Sequence, residues 1–317
     1  MIVVYILLAI VIITAAFFWL GNYFYNFALN ARKEKKFIQD NPNLARSEAV
    51  MPDVAELENY NDDAFRKQVP SSSISILSRD KLQLKLHANI YEQEQMTDKW
   101  AIVVHGYGAR ASVMTRWIRG FYEKGYHVLA PDLRGHGESE GDYIGMGWHD
   151  RLDILQWIDE ILAKNQNATI TLFGISMGGA TVMMASGENL PANVKVIVED
   201  CGYTSVQDIF AYQLKDLFKL PKFPVLNAAN MVTKIRAGFD LSEASALEKL
   251  RKCELPMLFI HGDADRFVPF KMVEEVFAAA DTEKEKLIIP GAGHGEAVLV
   301  NPKLYWETIW SFIDRYI

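Results

Sequence analysis

Cysteine is scarce in this chain. Cys201 and Cys253 are the only two among 317 residues, too few for a disulfide framework, and neither sits in a CxxC or Cys/His pattern of the kind that binds zinc. Positive charge is also in short supply: 33 Lys and Arg stand against 40 Asp and Glu, a formal net charge of −7. That leaves no basic field for a phosphate backbone, so a nucleic-acid partner is not expected. Internal repeats and low-complexity tracts are missing as well. What is there is a globular composition, 50% apolar, 12% aromatic and 23% charged, which excludes a disordered or coiled-coil chain. At about 100–200 residues per domain, the length fits one large domain or two small ones.

The N-terminus lacks charge altogether. Ile2 to Leu20 reads IVVYILLAIVIITAAFFWL, and the uncharged stretch continues through Ala31. At about 1.5 Å per helical residue this run can cross a hydrocarbon core of about 30 Å. No Lys or Arg precedes it and no short h-region with a small-residue cleavage site is marked, so an uncleaved anchor over residues 1–30 fits better than a signal peptide. Trp19, Tyr23, Phe24, Tyr25 and Phe27 resemble an interfacial aromatic belt, followed by the basic patch Arg32, Lys33, Lys35 and Lys36. The positive-inside rule reads that patch as a cytoplasmic body, but it starts about a dozen residues beyond Leu20. The expectation is a single-pass cell-membrane anchor with the side of the body unassigned.

Residues 31–72 are polar and charged, with DNPN at 40–43 breaking any helix and a short helix expected over 52–68, and read as a stalk and approach segment. From residue 73 the pattern changes. Ser73 to Ser78 and Leu82 to Tyr91 alternate apolar and polar residues around Arg79-Asp80, as in a half-exposed antiparallel hairpin. Then come continuous apolar runs, Ala101–Val104, Val128–Ala130, Ile170–Phe173, Val194–Val198, Met257–Ile260 and Leu287–Ile289, of the kind buried on both faces as parallel strands. Helical segments lie between them, most clearly His149 to Ala163, where Leu152, Leu155, Ile158 and Leu162 recur at helical spacing. The alternation predicts an α/β fold with a doubly wound, mostly parallel sheet over residues 73–317, and ligands in such sheets bind at the carboxyl ends of the strands. Since that core begins near Ser73, the body is expected to fold and act without residues 1 to about 30.

Residues 203–252 break the rhythm. They are rich in aromatics, including Phe210, Tyr212, Phe218, Phe223 and Phe239, and too long for a crossover alone, which predicts a helical cap over the strand ends. Cys201 and Cys253 flank this insertion at opposite edges of the sheet, roughly 20 Å apart, beyond the Cα limit near 7 Å for a disulfide. Two free thiols are expected.

The run Thr169 to Gly179 is a strand, then Gly174-Ile-Ser176-Met-Gly178, then a helix start. Glycines two residues either side of Ser176 permit a strained turn that exposes the hydroxyl at a helix N-terminus, where the dipole favours developing negative charge. A serine hydroxyl needs a base to take its proton and a third group to orient that base. After Met257–Ile260 comes His261-Gly-Asp263-Ala-Asp265-Arg-Phe-Val-Pro269, and after Leu287–Ile289 comes Pro290-Gly-Ala-Gly-His294-Gly. Ser176, Asp265 and His294 follow in the order Ser, Asp, His.

On these motifs residues 73–317 resemble an α/β-hydrolase. The family's oxyanion segment is matched by His105-Gly106-Tyr107-Gly108, its fourth-strand loop by Asp132 to Ser139, and its acid loop HGxxDxxVP by His261 to Pro269, which selects Asp265 over Asp263 as the acid and leaves Asp263 a turn residue. With the N-terminal anchor and VEDCGYTS after the sixth strand, the chain looks like membrane-anchored bacterial hydrolases of peptidase-like or lysophospholipase-like label. The resemblance implies a serine hydrolase acting on a small-molecule ester or lipid-like substrate. Ser176 would be the nucleophile, His294 the base and Asp265 its orienter, with the backbone N–H groups of Tyr107 and Met177 as oxyanion hole, Phe210 and Phe218 of the cap as acyl contacts, and neither metal nor organic cofactor. A serine peptidase or amidase of prolyl-oligopeptidase type is the alternative within this chemistry, and a non-catalytic membrane-tethered binding module the alternative outside it. A dehalogenase or epoxide hydrolase is disfavoured because the elbow carries Ser, not Asp. His105, His261, His127, His136 and His149 read as structural, Asp132 as a loop brace, and Glu199 and Asp200 as candidates for holding the cap or a substrate cation.

Overall fold

The computed structural model of the protein describes residues 1–39, 41, 43–44 and 51–317; of the expected break at 40–43, Asp40 and Pro42 lie outside the described residues. The apolar N-terminus forms one helix, α1 (Ile2–Ala28), long and apolar enough to cross a membrane. After it come α2 (Lys36–Gln39) and α3 (Pro52–Gln68), the latter opening on a proline whose missing N–H costs nothing in the first turn.

The body is an eight-stranded sheet. Its strands are β1 (Ser72–Leu77), β2 (Lys85–Tyr91), β3 (Lys99–Val104), β4 (His127–Pro131), β5 (Thr169–Ile175), β6 (Val194–Asp200), β7 (Met257–Gly262) and β8 (Lys284–Ile289), in the order β1-β2-β4-β3-β5-β6-β7-β8. β1 pairs β2, and β2 pairs β4, antiparallel, while all later pairs are parallel. The apolar runs of β3 to β7 are thus the buried strands. β8, with the run Leu287–Ile289 expected to be buried on both faces, is half-exposed because it has a neighbour on one side only, and of the alternating pair only β1 is half-exposed, β2 being largely buried between β1 and β4. Successive residues of one strand feed opposite cores, as the two-residue period of a pleated strand requires. Ile102, Leu172, Ile197 and Phe259 face one side, and Val103, Phe173, Val198 and Leu258 face the other.

Helices cover both faces. α4 (Thr115–Glu123) and α12 (Pro302–Ile313) share a core with the second set, through Ile118, Phe121, Ile309 and Phe312. α5 (Asp150–Lys164), α6 (Met177–Ala185) and α10 (Lys271–Ala279) pack on the first set. α5 buries Ile154, Trp157, Ile158 and Ile161; Leu152 is 41% exposed. Of the expected stripe Leu152, Leu155, Ile158 and Leu162, Ile158 is buried and Leu155 and Leu162 pack partly buried on the same core; Leu152 does not, while Asp150 and Asp153 face inward, accepting bonds from Gly147 N–H and from the Arg134 guanidinium. A purely hydrophobic period does not register such polar anchors.

The segment after β6 folds into α7 (Val206–Phe218), α8 (Lys222–Arg236) and α9 (Ala246–Leu250). α7 is capped by Ser205, whose hydroxyl accepts from Asp208 N–H, and ends at Lys219 in the left-handed region. α7 and α8 lie over the strand ends, whereas α9 contributes Ala246 and Leu250 to the sheet's own core. α1 meets α8 at a close crossing, where a Cβ on Gly21 would run into the Ala228 carbonyl. Tyr25 and Leu29 belong to the main core, which corrects the expectation that the body draws nothing from residues 1–30. α11 (Ala297–Val300) follows β8 and precedes α12. Both cysteines are free and buried.

Candidate active site

The parallel register brings the chemistry-bearing loops to one edge. Val104 pairs Gly174, Ile175 pairs Asp200, Asp200 pairs Ile260 and Gly262 pairs Ile289, so the loops after β3, β5, β7 and β8 leave the sheet side by side. At the end of β5 the backbone turns sharply into α6, with Ser176 at φ 56° and ψ −118°. The flanking glycines are needed for close approach: a Cβ on Gly174 would strike the Gly178 carbonyl, and one on Gly178 would strike that of Val104. Ser176 N–H is held by the Asp200 carbonyl at 2.7 Å.

His294 Nε2 stands 2.8 Å from Ser176 Oγ, and His294 Nδ1 stands 2.8 Å from Asp265 Oδ2. An ionised carboxylate only accepts, so Nδ1 carries the proton and Nε2 presents its lone pair to the serine hydroxyl. Asp265 is fixed in turn by the N–H groups of Phe267 and Val268, each 2.9 Å from Oδ1. Burial pushes its carboxyl up, but His294 and His261 outweigh burial and hold it well below the usual carboxylate range. Asp263 is exposed and accepts from Gly291 N–H at 2.6 Å, tying the β7 and β8 loops together as a turn residue.

The β3 loop passes so near that a Cβ on Gly106 would lie 3.2 Å from that of Ser176. Neither Tyr107 N–H nor Met177 N–H donates a hydrogen bond among the described residues. The loop is braced by Asp132, which accepts from Ala111 N–H at 2.7 Å and Glu138 N–H at 2.8 Å. His136 Nε2 accepts from Gly108 N–H at 3.1 Å, and His105 Nε2 from Leu133 N–H at 3.0 Å. Burial, and for His105 also the neighbouring His136, lowers both imidazoles to about 4, so they are neutral struts. His127 accepts from Gln93 N–H and His149 contacts the Tyr143 hydroxyl.

Glu199 and Asp200 are fully buried beneath the elbow, where neither cap nor solute cation reaches them. Glu199 accepts from Gly202 N–H and Asp200 from the Tyr305 hydroxyl, at 2.9 and 2.8 Å. Burial raises their carboxyls to about 8 and about 6. A strand-end carboxylate looks water-facing in sequence; here the sheet continues over it. His261 is a buried structural histidine that also meets the acid: Nε2 is 3.0 Å from the Val268 carbonyl and 3.3 Å from Asp265 Oδ2, a second imidazole on the same carboxylate. Its four-residue spacing from Asp265 was the available signal.

Above Ser176 opens an apolar pocket. Phe210 and Phe218 line it as expected, together with Leu214 of α7 and Phe267 of the acid loop. Phe24, Tyr25, Phe27 and Ala28 of α1 line it too, so three of the aromatics expected to form an interfacial belt face the pocket instead. No Asp or Glu lines it among the described residues.

The chain is similar to known hydrolases. The family model described as serine aminopeptidase, S33, matches residues 95–220. Lipase 1 of Psychrobacter immobilis is 31% identical over 235 residues, 62% of this chain and 69% of the relative. An uncharacterised protein of Bacillus subtilis (strain 168) is 27% identical over 220 residues, 69% of this chain and 72% of the relative. Among solved structures, an esterase of Pyrococcus furiosus superposes with a TM-score of 0.63 at 21% identity, covering 78% of this chain and 93% of its own. The acylaminoacyl peptidase of Pyrococcus horikoshii superposes with a TM-score of 0.60 at 18% identity, covering 80% and 43%.

Proposed function

Because the chain belongs to the α/β-hydrolase family, we propose that it is a membrane-anchored serine hydrolase that cleaves carboxylic esters with apolar or lipid-like acyl groups. The observation that carries this reading is the relay Ser176–His294–Asp265, with both links at 2.8 Å, on the floor of an apolar pocket. Ser176 Oγ attacks the ester carbonyl while its proton passes to His294 Nε2. The N–H groups of Tyr107 and Met177 receive the oxyanion, and His294 then protonates the departing alkoxide. Water repeats the sequence on the acyl-enzyme and releases the acid. Asp265 keeps the proton on Nδ1 and stabilises the imidazolium formed in each half. α1, long and apolar enough to span a bilayer, supplies the anchor.

The serine aminopeptidase model supports a second reading, amide cleavage. An aminopeptidase must hold a free ammonium group, and a lining without Asp or Glu offers no carboxylate for it. The test is a panel of p-nitrophenyl esters of increasing chain length beside peptide amides, with Ser176→Ala as the blank. Hydrolysis that rises with acyl length supports the ester reading. Turnover of amides with inert esters would replace it by the peptidase reading, and equal rates in Ser176→Ala would end both.

A further inference from the structure

α1 changes character along its length. Its first twenty residues are nearly all exposed, Ile2 at 76% and Trp19 at 70%, whereas from Gly21 on the helix is packed into the protein. Twenty residues at about 1.5 Å each reach about 30 Å, the thickness of bilayer hydrocarbon, so the packed turns stand at the level of the interface.

Those turns wall the pocket. The Phe218 ring of the cap is held edge-on between Phe24 and Phe27, with centroids 5.2 and 5.1 Å away. Phe27 stacks on Phe37 at 4.5 Å, and Phe37 lies 6.0 Å from Tyr107. Tyr107, beside the nucleophile, donates its hydroxyl to the Ala28 carbonyl at 2.5 Å. The join is braced from outside. Lys35 Nζ donates to the carbonyls of Phe27 and Asn30, at 3.0 and 2.9 Å, and Arg236 donates to Asn22 and Asn26. An unbroken aromatic wall therefore runs from Ser176 to the exposed part of α1.

Resting on the hydrolase reading above, we infer that the last two turns of α1 are the acyl-chain subsite, and that the chain it takes belongs to an ester resident in the bilayer that α1 crosses. A chain moving from lipid into the pocket along this wall lays its methylenes against aromatic rings, which a route through solvent would not. α1 is then a specificity element as well as a tether.

The test uses the full-length protein in lipid nanodiscs and an alkyl fluorophosphonate whose chain ends in a diazirine. The reagent phosphonylates Ser176: the P–F bond breaks, fluoride leaves, the serine oxygen bonds phosphorus and its proton passes to His294. Illumination then cross-links the chain end to whatever it touches. Cross-links on residues 20–31 are expected. Adducts on Ser176 with cross-links confined to α7 and α8, or to lipid, would overturn the inference and leave the hydrolase reading standing. No adduct on Ser176 would overturn both. Ala28→Trp, which fills the wall, is expected to lower the ratio of long-chain to short-chain ester kcat/KM by about tenfold or more, the scale on which apolar pockets discriminate. An unchanged ratio would contradict it.

Discussion

At Ser176 a residue with a Cβ is held at φ 56° and ψ −118°, a backbone state that costs about 1–3 kcal/mol outside glycine and persists where its surroundings enforce it. Ser176→Ala keeps that backbone and removes the hydroxyl, so a Tm close to that of the wild type is expected, with kcat lowered by about 10⁶; thermal scans and ester assays check the pair. Asp265→Asn is expected to lower kcat by about 10⁴, because an amide favours the wrong imidazole tautomer. Asp263→Asn, whose partner is Gly291 N–H on the surface, should cost under about tenfold, because the amide keeps an oxygen that can accept the same bond. A larger loss in Asp263→Asn than in Asp265→Asn would reverse the choice of acid. Glu199 makes a different prediction. Burial raises its carboxyl from 4.5 to about 8, so in that window the unfolded chain has lost a proton that the folded chain keeps. Stability must therefore fall as pH rises through the window, by at most about 1.4 kcal/mol per pH unit from this group. Glu199→Gln is expected to flatten the decline of Tm between those pH values; an unaltered slope would show that Glu199 is ionised in the fold.

At the scale of elements, the central strands β3 to β7 were legible in sequence because each is buried on both faces and nothing interrupts its apolar run, whereas the edge strands β1 and β8 keep exposed polar positions. The site was legible for a related reason: Gly174, Ser176 and Gly178 satisfy a steric demand that few other residues meet, and the order Asp265 then His294 follows from strands that end at one edge. The inward placing of Asp150 and Asp153 on α5 was not, since they bury charge that hydrophobic periodicity discards. Nor was the docking of α1 on α8, although Gly21, Asn22 and Asn26 in the last turns of that apolar helix mark the side that meets α8, through the close crossing at Ala228 and the bonds from Arg236. That docking changes the truncation experiment. Removing residues 1–18 should release the protein from membranes with its stability intact. Removing 1–30 also deletes Phe24, Tyr25 and Leu29 from their buried positions, at about 1.5–3 kcal/mol for each large apolar side chain, and is expected to lower Tm by many degrees and blunt the preference for long acyl groups. Equal Tm for the two truncations would contradict the packing described for α1 and α8.

At the scale of the whole molecule, three surfaces converge on the Ser176 hydroxyl: the edge of the sheet with Asp265 and His294, the helices α7 and α8, and the end of a helix long and apolar enough to span a bilayer. The cap is tied to the loop carrying Asp265 through Tyr212 and Gln213, which donate to the carbonyls of Arg266 and Phe267 at 2.8 and 2.7 Å, and to α1 through Phe218, so the three are mechanically joined. Hydrolysis by this chain requires that hydroxyl to be activated, and only an activated serine reacts with a fluorophosphonate under conditions where ordinary serines are inert. The most direct measurement is the intact mass and peptide map of the membrane-embedded full-length protein after brief exposure to a fluorophosphonate, alongside His294→Ala. One adduct per chain, located on Ser176 and absent from His294→Ala, is the predicted result; an unmodified wild-type protein, or an adduct on any other residue, would contradict it.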